Sequence, residues 1–131
     1  MEGKIVDQHL SVKRYCFTLD LKDDDSLIAE YRYYHAKGIW PEILQGLSSI
    51  GIYDMEIYLT HGRMFMILDV PVDFDYEKMM GQLATMDRQQ EWEEFMWKFQ
   101  QRLPWVTDST KWVEMERIFS FQSHIKSKNI E

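Results

Sequence analysis

The sequence predicts an α+β domain in which a four-stranded antiparallel sheet carries its helices on one face. Three observations predict this fold class. Apolar residues alternate with a period of two at the start, middle and end of the chain, and amphipathic segments with helix-capping signals separate these stretches. A tight turn joins the two middle strands into a hairpin. With one extra helix after the first, the order β-α-β-β-α-β is the ferredoxin-like plan.

The first strand and the first helix follow from two different periodicities. Residues 13–21 alternate, and the apolar face of this strand carries Tyr15, Phe17, Leu19 and Leu21. The acidic turn at 23–26 then offers N-cap residues for a helix. The apolar stripe of that helix includes Tyr31 and His35, and Gly38 fits its end.

Two further helical stretches are predicted. The Trp40-Pro41 step opens a second helix, because proline is favoured in a first helical turn, and Gly51 stops it. Residues 75–102 have the pattern of a long helix with a break near 85–87. The core-facing stripe of its second half consists of Trp92, Met96 and Phe99.

The remaining strands form a hairpin and a C-terminal strand. Residues 54–60 and 63–70 pair through His61-Gly62, where Gly62 is expected to supply the positive φ of the turn. His61 is accordingly expected to be an exposed turn residue, and Pro71 ends the second strand of the pair. The last strand is predicted over 112–121, with Val113, Met115, Phe119 and Phe121 on one face.

Composition limits the classes of function. The 131 residues predict one domain over 13–121, preceded by an N-terminal extension at 1–12 and followed by a polar tail at 122–131. A formal net charge of −7 argues against nucleic-acid and anionic-membrane partners, and suits a neutral ligand such as a sugar. Because Cys16 is the only cysteine, and neither a secretory signal nor a membrane span is recognisable, we expect a cytoplasmic protein.

Several cofactor motifs are absent from the sequence. The six glycines cannot form a G-x-G-x-x-G fingerprint. Gly46 and Gly51 have the spacing of a phosphate-binding loop, but Ile52-Tyr53 follows where Lys-Ser/Thr is required. The four histidines lie far apart, without the spacing of a zinc site. No motif therefore indicates a cofactor or a metal site, and convergence of distant residues on a metal stays open.

Tyr31 and His35 are the leading candidates for chemistry. Residues four apart on a helix share one face, so a phenol and an imidazole would stand side by side. The reference pKa of histidine, about 6.5, suits proton transfer near neutral pH. The pair can therefore hold a small polar ligand and move a proton. Packing of both rings against the core is the structural alternative.

These residues also carry a resemblance. Tyr31-x-x-x-His35 followed by Ile39-Trp40-Pro41-Glu42 resembles the signature of the L-rhamnose mutarotase family. Further likeness over 13–121 lies at 56–58, at Trp92 and at 116–119. The resemblance implies a homodimer of the ferredoxin-like, dimeric α/β-barrel type that interconverts the α and β anomers of free 6-deoxy sugars without cofactor or metal. The run 54–58 is closer to relatives acting on L-fucose, which makes L-fucose the first choice and L-rhamnose the second.

Site residues follow from the same resemblance. The family's proton donor falls on His35, its substrate-contacting tyrosine on Tyr31, and the first of its paired tryptophans on Trp92. This chain departs from the pattern at Glu93, where the second tryptophan would stand, and at Met55, where a further tyrosine would contact the sugar. One extra residue also separates His35 from the Trp-Pro step.

The chemistry of mutarotation points to the same kinds of residue. The reaction removes a proton from the anomeric hydroxyl and donates one to the ring oxygen, so it needs an acid and a base. Trp40 and Trp92 are candidates for an aromatic wall against the apolar face of a deoxy sugar, and Glu56 is a candidate for its hydroxyls. Glu56, Glu114 and Glu116 are candidate bases, and the sequence does not choose among them or a water.

Two questions stay open in the sequence. One face of the sheet lacks helices, so it is solvated, lines a cavity or packs against a second subunit. We expect the second subunit. The residues of this face include Thr18, Asp20, Glu114, Glu116 and Ile118. The fold also serves other functions. A cofactor-free oxygenase or heme-degrading enzyme of the dimeric ferredoxin-like type is one alternative, and a non-catalytic sugar-binding module is another.

Overall fold

A computed structural model describes residues 11–127 of the chain. Within this range it contains five strands and five helices. In chain order they are β1 (Val12–Leu21), α1 (Asp25–Ala36), α2 (Pro41–Ser49), β2 (Asp54–Thr60), β3 (Arg63–Pro71), α3 (Tyr76–Ala84), α4 (Gln89–Met96), β4 (Gln100–Gln101), β5 (Val113–Glu114) and α5 (Phe121–Ser127). The predicted N-terminal extension lies outside the described residues up to position 10.

The sheet is antiparallel, with the strand order β2-β3-β1-β4. Its centre is the long pairing of β1 with β3, which runs from Val12↔Pro71 to Asp20↔Arg63. On the other side of β1, β4 pairs at Asp20–Leu21 and β5 pairs at Phe17–Thr18. The predicted α+β class with an antiparallel sheet is therefore confirmed. The predicted count of four strands is wrong for residues 11–127, because two short strands share the fourth position.

The core lies between the sheet and the helices. The alternation predicted for β1 is confirmed, because Phe17, Leu19 and Leu21 are all buried beneath the helices. The stripe predicted on the later helix is also confirmed, since Trp92, Met96 and Phe99 are buried. Burial of such side chains stabilises the fold by about 1.5–3 kcal/mol each relative to exposure. One face of the sheet is thus fixed against helices that carry the candidate site.

The predicted long helix over 75–102 is two helices and a strand. The break predicted near 85–87 is confirmed: α3 ends at Ala84, and Arg88 adopts the left-handed conformation (φ 62°) before α4 begins. The end of this helix was predicted wrongly, because α4 stops at Met96. Phe99 is fully buried, and its carbonyl accepts a hydrogen bond from Lys22 N (2.8 Å), which directs the next two residues to the edge of β1.

The predicted last strand is mostly wrong. Only Val113–Glu114 of this segment pairs with β1, and Met115 N then donates a hydrogen bond to Cys16 O (2.7 Å). Residues 115–120 follow without regular structure, and α5 begins at Phe121. The apolar face predicted for this strand is not buried: Met115, Phe119 and Phe121 are exposed. Helix α5 also occupies the start of the predicted polar tail, whose last residues, 128–131, lie outside the described part of the chain.

The β2–β3 hairpin has the predicted strands and the predicted turn. His61 is exposed, as expected of a turn residue. The positive φ lies at His61 (53°), whereas Gly62 does not adopt the left-handed conformation, so the residue predicted to supply it was the wrong one. A non-glycine residue in this conformation is strained by about 1–2 kcal/mol.

The helix-free face of the sheet carries polar and apolar residues in alternating rows. Two ion pairs join β1 to β3 there, Arg14–Asp69 and Arg63–Asp20, each with an N–O distance of 2.7 Å. Because cross-strand partners share a face, the registers Cys16↔Ile67 and Thr18↔Phe65 place four further side chains between the two pairs. This face therefore has an apolar centre bordered by charge.

Candidate active site

A cavity of about 150 Å³ lies between the helices and the covered face of the sheet. Most of its wall is apolar, with Met55, Ile57 and Met66 from β2 and β3 as its floor. The polar side chains of the wall come from separate elements: Tyr31, His35, Tyr76, Gln89, Glu93 and Gln100. A small, largely apolar space with a few polar groups is typical of a small-molecule site.

Helix α1 supplies Tyr31 and His35. Its N-terminus is fixed by Asp24, whose Oδ1 accepts a hydrogen bond from Leu27 N (3.0 Å). The spacing of four residues brings the two rings together, with centroids 4.2 Å apart. Tyr31 is 4% exposed, and its hydroxyl accepts a hydrogen bond from Gln100 Nε2 (3.4 Å). Burial raises the pKa of Tyr31 to about 12, so its hydroxyl remains protonated at neutral pH.

The hydrogen bonding of His35 determines which ring nitrogen can meet a ligand. Nδ1 lies 2.9 Å from the carbonyl oxygen of Tyr31, and since a carbonyl only accepts, Nδ1 carries the proton. Nε2 is then the nitrogen left for other partners. Burial lowers the pKa of His35, an effect that the hydrogen bond to Tyr31 O partly opposes. The neutral form, with a lone pair on Nε2, is therefore favoured near pH 7.

Trp92 of α4 stands beside His35. The two rings meet edge to face, with centroids 5.8 Å apart. Trp40 also packs against Trp92, with ring centroids 5.0 Å apart, and it stacks on Phe95 at 5.7 Å. The Arg88 guanidinium covers Trp40 at 3.9 Å from its ring centre. Trp92 thus lines the cavity, whereas Trp40 contacts Trp92 and does not line it.

The two positions at which the sequence departs from the family pattern both line the cavity. Met55 belongs to its apolar floor. Glu93 is held at both oxygens: Oε2 accepts from Gln89 Nε2 (2.8 Å), and Oε1 accepts from Lys111 Nζ (2.9 Å). Glu93 is also the one carboxylate among the described residues that line this cavity.

The three glutamates considered as bases lie elsewhere. Glu56 is exposed on the sheet face opposite to Met55 and Ile57, and its Oε1 accepts a hydrogen bond from the hydroxyl of Tyr58 (2.9 Å). Glu114 and Glu116 line a groove along the outer edge of β1. The structure therefore brings His35, Tyr31 and Trp92 together and does not bring Glu56 to them.

Sequence reasoning missed Gln89, Gln100 and Trp112 as members of the cavity wall. Gln89 lies in the first turn of α4, and Gln100 lies in β4, which the sequence assigned to a helix. No motif marks a glutamine as a ligand-binding residue. Their burial, at 5% and 3% exposure, is the signal, and it exists only in the folded chain.

No group of three or more potential metal-ligating side chains occurs within residues 11–127. In the same part of the chain, no helix is long and apolar enough to cross a membrane.

Comparisons with known proteins identify the family of the chain. A family model for L-rhamnose mutarotase matches residues 14–121, which is most of the chain. The chain therefore belongs to the L-rhamnose mutarotase family, isomerases that act on carbohydrates, and the resemblance seen in the sequence is confirmed.

Individual relatives extend this result. The chain is 37% identical over 117 residues to an L-fucose mutarotase of Xanthomonas campestris pv. campestris, covering 88% of this chain and 94% of that protein. It is 33% identical over 111 residues to a protein of Dictyostelium discoideum, covering 82% and 88% of the two chains. The crystal structure of an L-rhamnose mutarotase from Formosa agariphila superposes with a TM-score of 0.61 at 22% identity, covering 83% of this chain and 98% of that one, and supports the fold.

Proposed function

We propose that this protein interconverts the α and β anomers of a 6-deoxy sugar, with L-fucose as its preferred substrate and L-rhamnose as the second. The observation that carries the proposal is the arrangement of His35 in the wall of the cavity that Tyr31 also lines, with Nδ1 bonded to the backbone and Nε2 left for a ligand. No cofactor or metal is required by this chemistry.

His35 is the proposed catalytic residue. The sugar ring opens when the proton leaves the anomeric hydroxyl, the bond between the anomeric carbon and the ring oxygen breaks, and the ring oxygen gains a proton. The open-chain aldehyde then rotates and closes on its other face. Because both oxygens are attached to one carbon, a neutral imidazole can accept the first proton at Nε2 and deliver it to the second oxygen. Such assistance contributes about 10²–10⁴ in rate.

Tyr31 and Trp92 are the proposed binding residues. The hydroxyl of Tyr31, with a pKa of about 12, is a neutral hydrogen-bond donor for a sugar oxygen. Trp92 offers an apolar surface beside His35 that suits the methyl group and carbon face of a deoxy sugar. Trp40 contributes by supporting Trp92. Glu56 is not retained in this proposal, because its side chain lies on the opposite face of the sheet.

The order of the two sugars is supported by two observations. The L-fucose mutarotase of Xanthomonas campestris shares 37% of its residues with this chain over 117 positions. Met55 and Glu93 also replace two of the contact residues that the rhamnose-type pattern requires, and both line the cavity. The wall that would meet the sugar hydroxyls therefore differs from the rhamnose type.

Saturation-transfer NMR of L-fucose, L-rhamnose and D-glucose, with and without the protein, tests the proposal. We expect the protein to accelerate anomer exchange of L-fucose most and of D-glucose least. A tenfold or greater preference for L-rhamnose would reverse the proposed order. Binding of a sugar without faster exchange of any of the three would instead favour a non-catalytic sugar-binding module.

The proposal includes a homodimer in the cytoplasm. The helix-free face presents Cys16, Phe65 and Ile67 between two ion pairs, and such an apolar centre is stabilised by covering it. Ile118 and Phe119 are exposed in the segment that follows β5 and add further apolar surface. A second copy of the chain is the proposed cover. The single thiol of Cys16 forms no intramolecular disulfide, which suits a reducing compartment.

A further inference from the structure

Two glutamines in the cavity wall have buried side-chain carbonyls that no protein group satisfies. Gln89 is 5% exposed and Gln100 is 3% exposed, and both line the cavity that holds His35. Within residues 11–127, no donor lies within hydrogen-bond distance of Oε1 of either side chain. The large majority of buried polar atoms in folded proteins have a partner, so these two require an explanation.

Hydrogen bonds of the amide nitrogens fix how the two side chains are oriented. Gln89 Nε2 donates to Glu93 Oε2 (2.8 Å), and a carboxylate can only accept, so the carbonyl of Gln89 must point to its other side. Lys111 holds Glu93 in place from its other oxygen (2.9 Å). Gln100 Nε2 donates to the hydroxyl of Tyr31 (3.4 Å), and Oε1 is the unpaired end of this side chain. In each case the donor end is used within the protein.

The chemistry of the missing partner follows from these orientations. A carbonyl oxygen forms a hydrogen bond only with a donor, and burying it without a donor lowers the stability of the fold. An apolar ligand would leave the two carbonyls without a donor, whereas the hydroxyl groups of a polyhydroxylated ligand would donate to them. A site built in this way discriminates strongly between ligands that carry the hydroxyl and ligands that lack it.

We propose that Gln89 and Gln100 bind the sugar, each side-chain carbonyl accepting a hydrogen bond from a hydroxyl of the substrate. This inference rests on the proposed mutarotase function and deepens it by naming two binding residues outside the Tyr31–His35 pair. Gln100 also contacts the Tyr31 hydroxyl, so its hydroxyl partner on the sugar lies near the oxygen that Tyr31 binds. Gln89 would bind a different hydroxyl, on the side of the cavity next to Glu93.

The chain offers matched controls for a test, because an exposed glutamine follows each buried one. Gln89→Met and Gln100→Met keep the length of the side chain and remove the whole amide, both the acceptor and the Nε2 donor. Gln90→Met and Gln101→Met make the same change at exposed neighbours. Titration calorimetry with L-fucose and L-rhamnose measures affinity, and thermal unfolding with and without sugar measures stability. Loss of one hydrogen bond to a ligand weakens binding by about tenfold.

We expect each buried variant to bind sugar about tenfold more weakly, with KM raised more than kcat is lowered, and each exposed variant to match the parent within about twofold. Without sugar, the buried variants should unfold near the parent's Tm, because removal of the unsatisfied acceptor offsets loss of the hydrogen bond that Nε2 donates to Glu93 or to Tyr31. With sugar, their Tm should rise less than that of the parent.

Monodeoxy analogues of L-fucose identify the hydroxyl that each glutamine binds. The analogue that lacks the hydroxyl bound by a given glutamine should bind the parent more weakly than L-fucose does. The methionine variant of that glutamine should bind this analogue and L-fucose equally well, because both changes remove the same hydrogen bond. Unchanged sugar affinity in both buried variants would overturn the inference, particularly with a lowered Tm in the absence of sugar, which would mark a structural role. A parent that binds neither sugar would overturn it as well.

The two proposals fail in different ways. Sugar binding that depends on both glutamines, without faster anomer exchange, would contradict the mutarotase function alone. Faster exchange that is insensitive to Gln89→Met and Gln100→Met would contradict this inference alone.

Discussion

At the scale of single residues, burial and one backbone hydrogen bond define what His35 can do. The contact between Nδ1 and the Tyr31 carbonyl fixes the tautomer, and burial favours the neutral ring. A histidine with these two properties acts first as a base and then, once protonated, as an acid. The same two interactions also make its role testable by substitution and by pH.

Replacing His35 by asparagine should slow anomer exchange by about 10²–10⁴, because asparagine preserves polarity and approximate size but cannot carry a proton. His35→Ala should be at least as slow. Saturation-transfer NMR of L-fucose measures the rate. His61→Ala is the matched control, since His61 is exposed in the hairpin turn, and it should exchange at the parent rate. Exchange by His35→Asn at the parent rate would show that His35 is structural.

The lowered pKa of His35 also predicts a pH dependence of stability. Below its ordinary value of 6.5, the unfolded chain takes up a proton that the folded chain resists, so the unfolded state binds more protons. This residue's contribution to the free energy of unfolding is therefore present at higher pH and falls as the pH drops below that value. Urea titrations at about pH 7.5 and about pH 5.5 measure the fall. His35→Asn should reduce it, and an identical fall in both proteins would contradict the prediction.

At the scale of elements, helix α1 is specified by local sequence signals and carries both leading candidate site residues. Its capping residue, its length and its stripe are all encoded nearby in sequence, and the helix places Tyr31 and His35 one turn apart. The cap is formed by Asp24 and Leu27 N. Stability of this helix can therefore be changed without altering any residue that lines the cavity.

Replacing Asp24 by alanine should lower the free energy of unfolding by about 1 kcal/mol, because the N–H of Leu27 loses its side-chain acceptor. Urea denaturation of the folded protein measures the change. Asp23→Ala removes the same charge one residue earlier, outside the cap, and should cost clearly less. Equal losses in the two variants would indicate that charge near the helix N-terminus matters more than the capping bond.

Elements at the C-terminal side show where local signals were insufficient. The apolar periodicity after Met96 continues to Phe99, so a helix was a sound prediction from pattern alone. The structure instead turns there, because Phe99 is buried in the core and its carbonyl bonds to Lys22 N at the end of β1. The alternation over 112–121 likewise predicts a strand, but only Val113 and Glu114 of this segment pair with another strand within residues 11–127.

At the scale of the whole molecule, the helix-free face makes a prediction about assembly. If a second copy covers it, sedimentation at micromolar concentration should give about twice 15.9 kDa. Ile67→Lys places a charge in the centre of that face and should shift the protein to a monomer of unchanged fold. Gln82→Lys, on the exposed surface of α3, is the control and should remain a dimer. A parent that sediments as a clean monomer would contradict the homodimer.

The sequence by itself determined the features that depend on neighbours in the chain. Alternation fixed the faces of β1, a capping aspartate and helical spacing fixed the Tyr31–His35 pair, and a Trp-Pro step fixed the start of α2. These follow from backbone geometry, which acts over a few residues. The family could be recognised from the sequence for the same reason, because its signature lies within one helix and the turn that follows it.

Only the tertiary structure decided which distant residues share the cavity. Gln89, Glu93 and Gln100 converge on His35 because α4 packs beside α1 and β4 joins the edge of β1. Glu56 is kept from the cavity because alternation in β2 places it opposite Met55. Spacing in the sequence limits which side of an element a residue occupies. Which elements pack together is set by burial of apolar surface across the whole chain, and no local pattern records it.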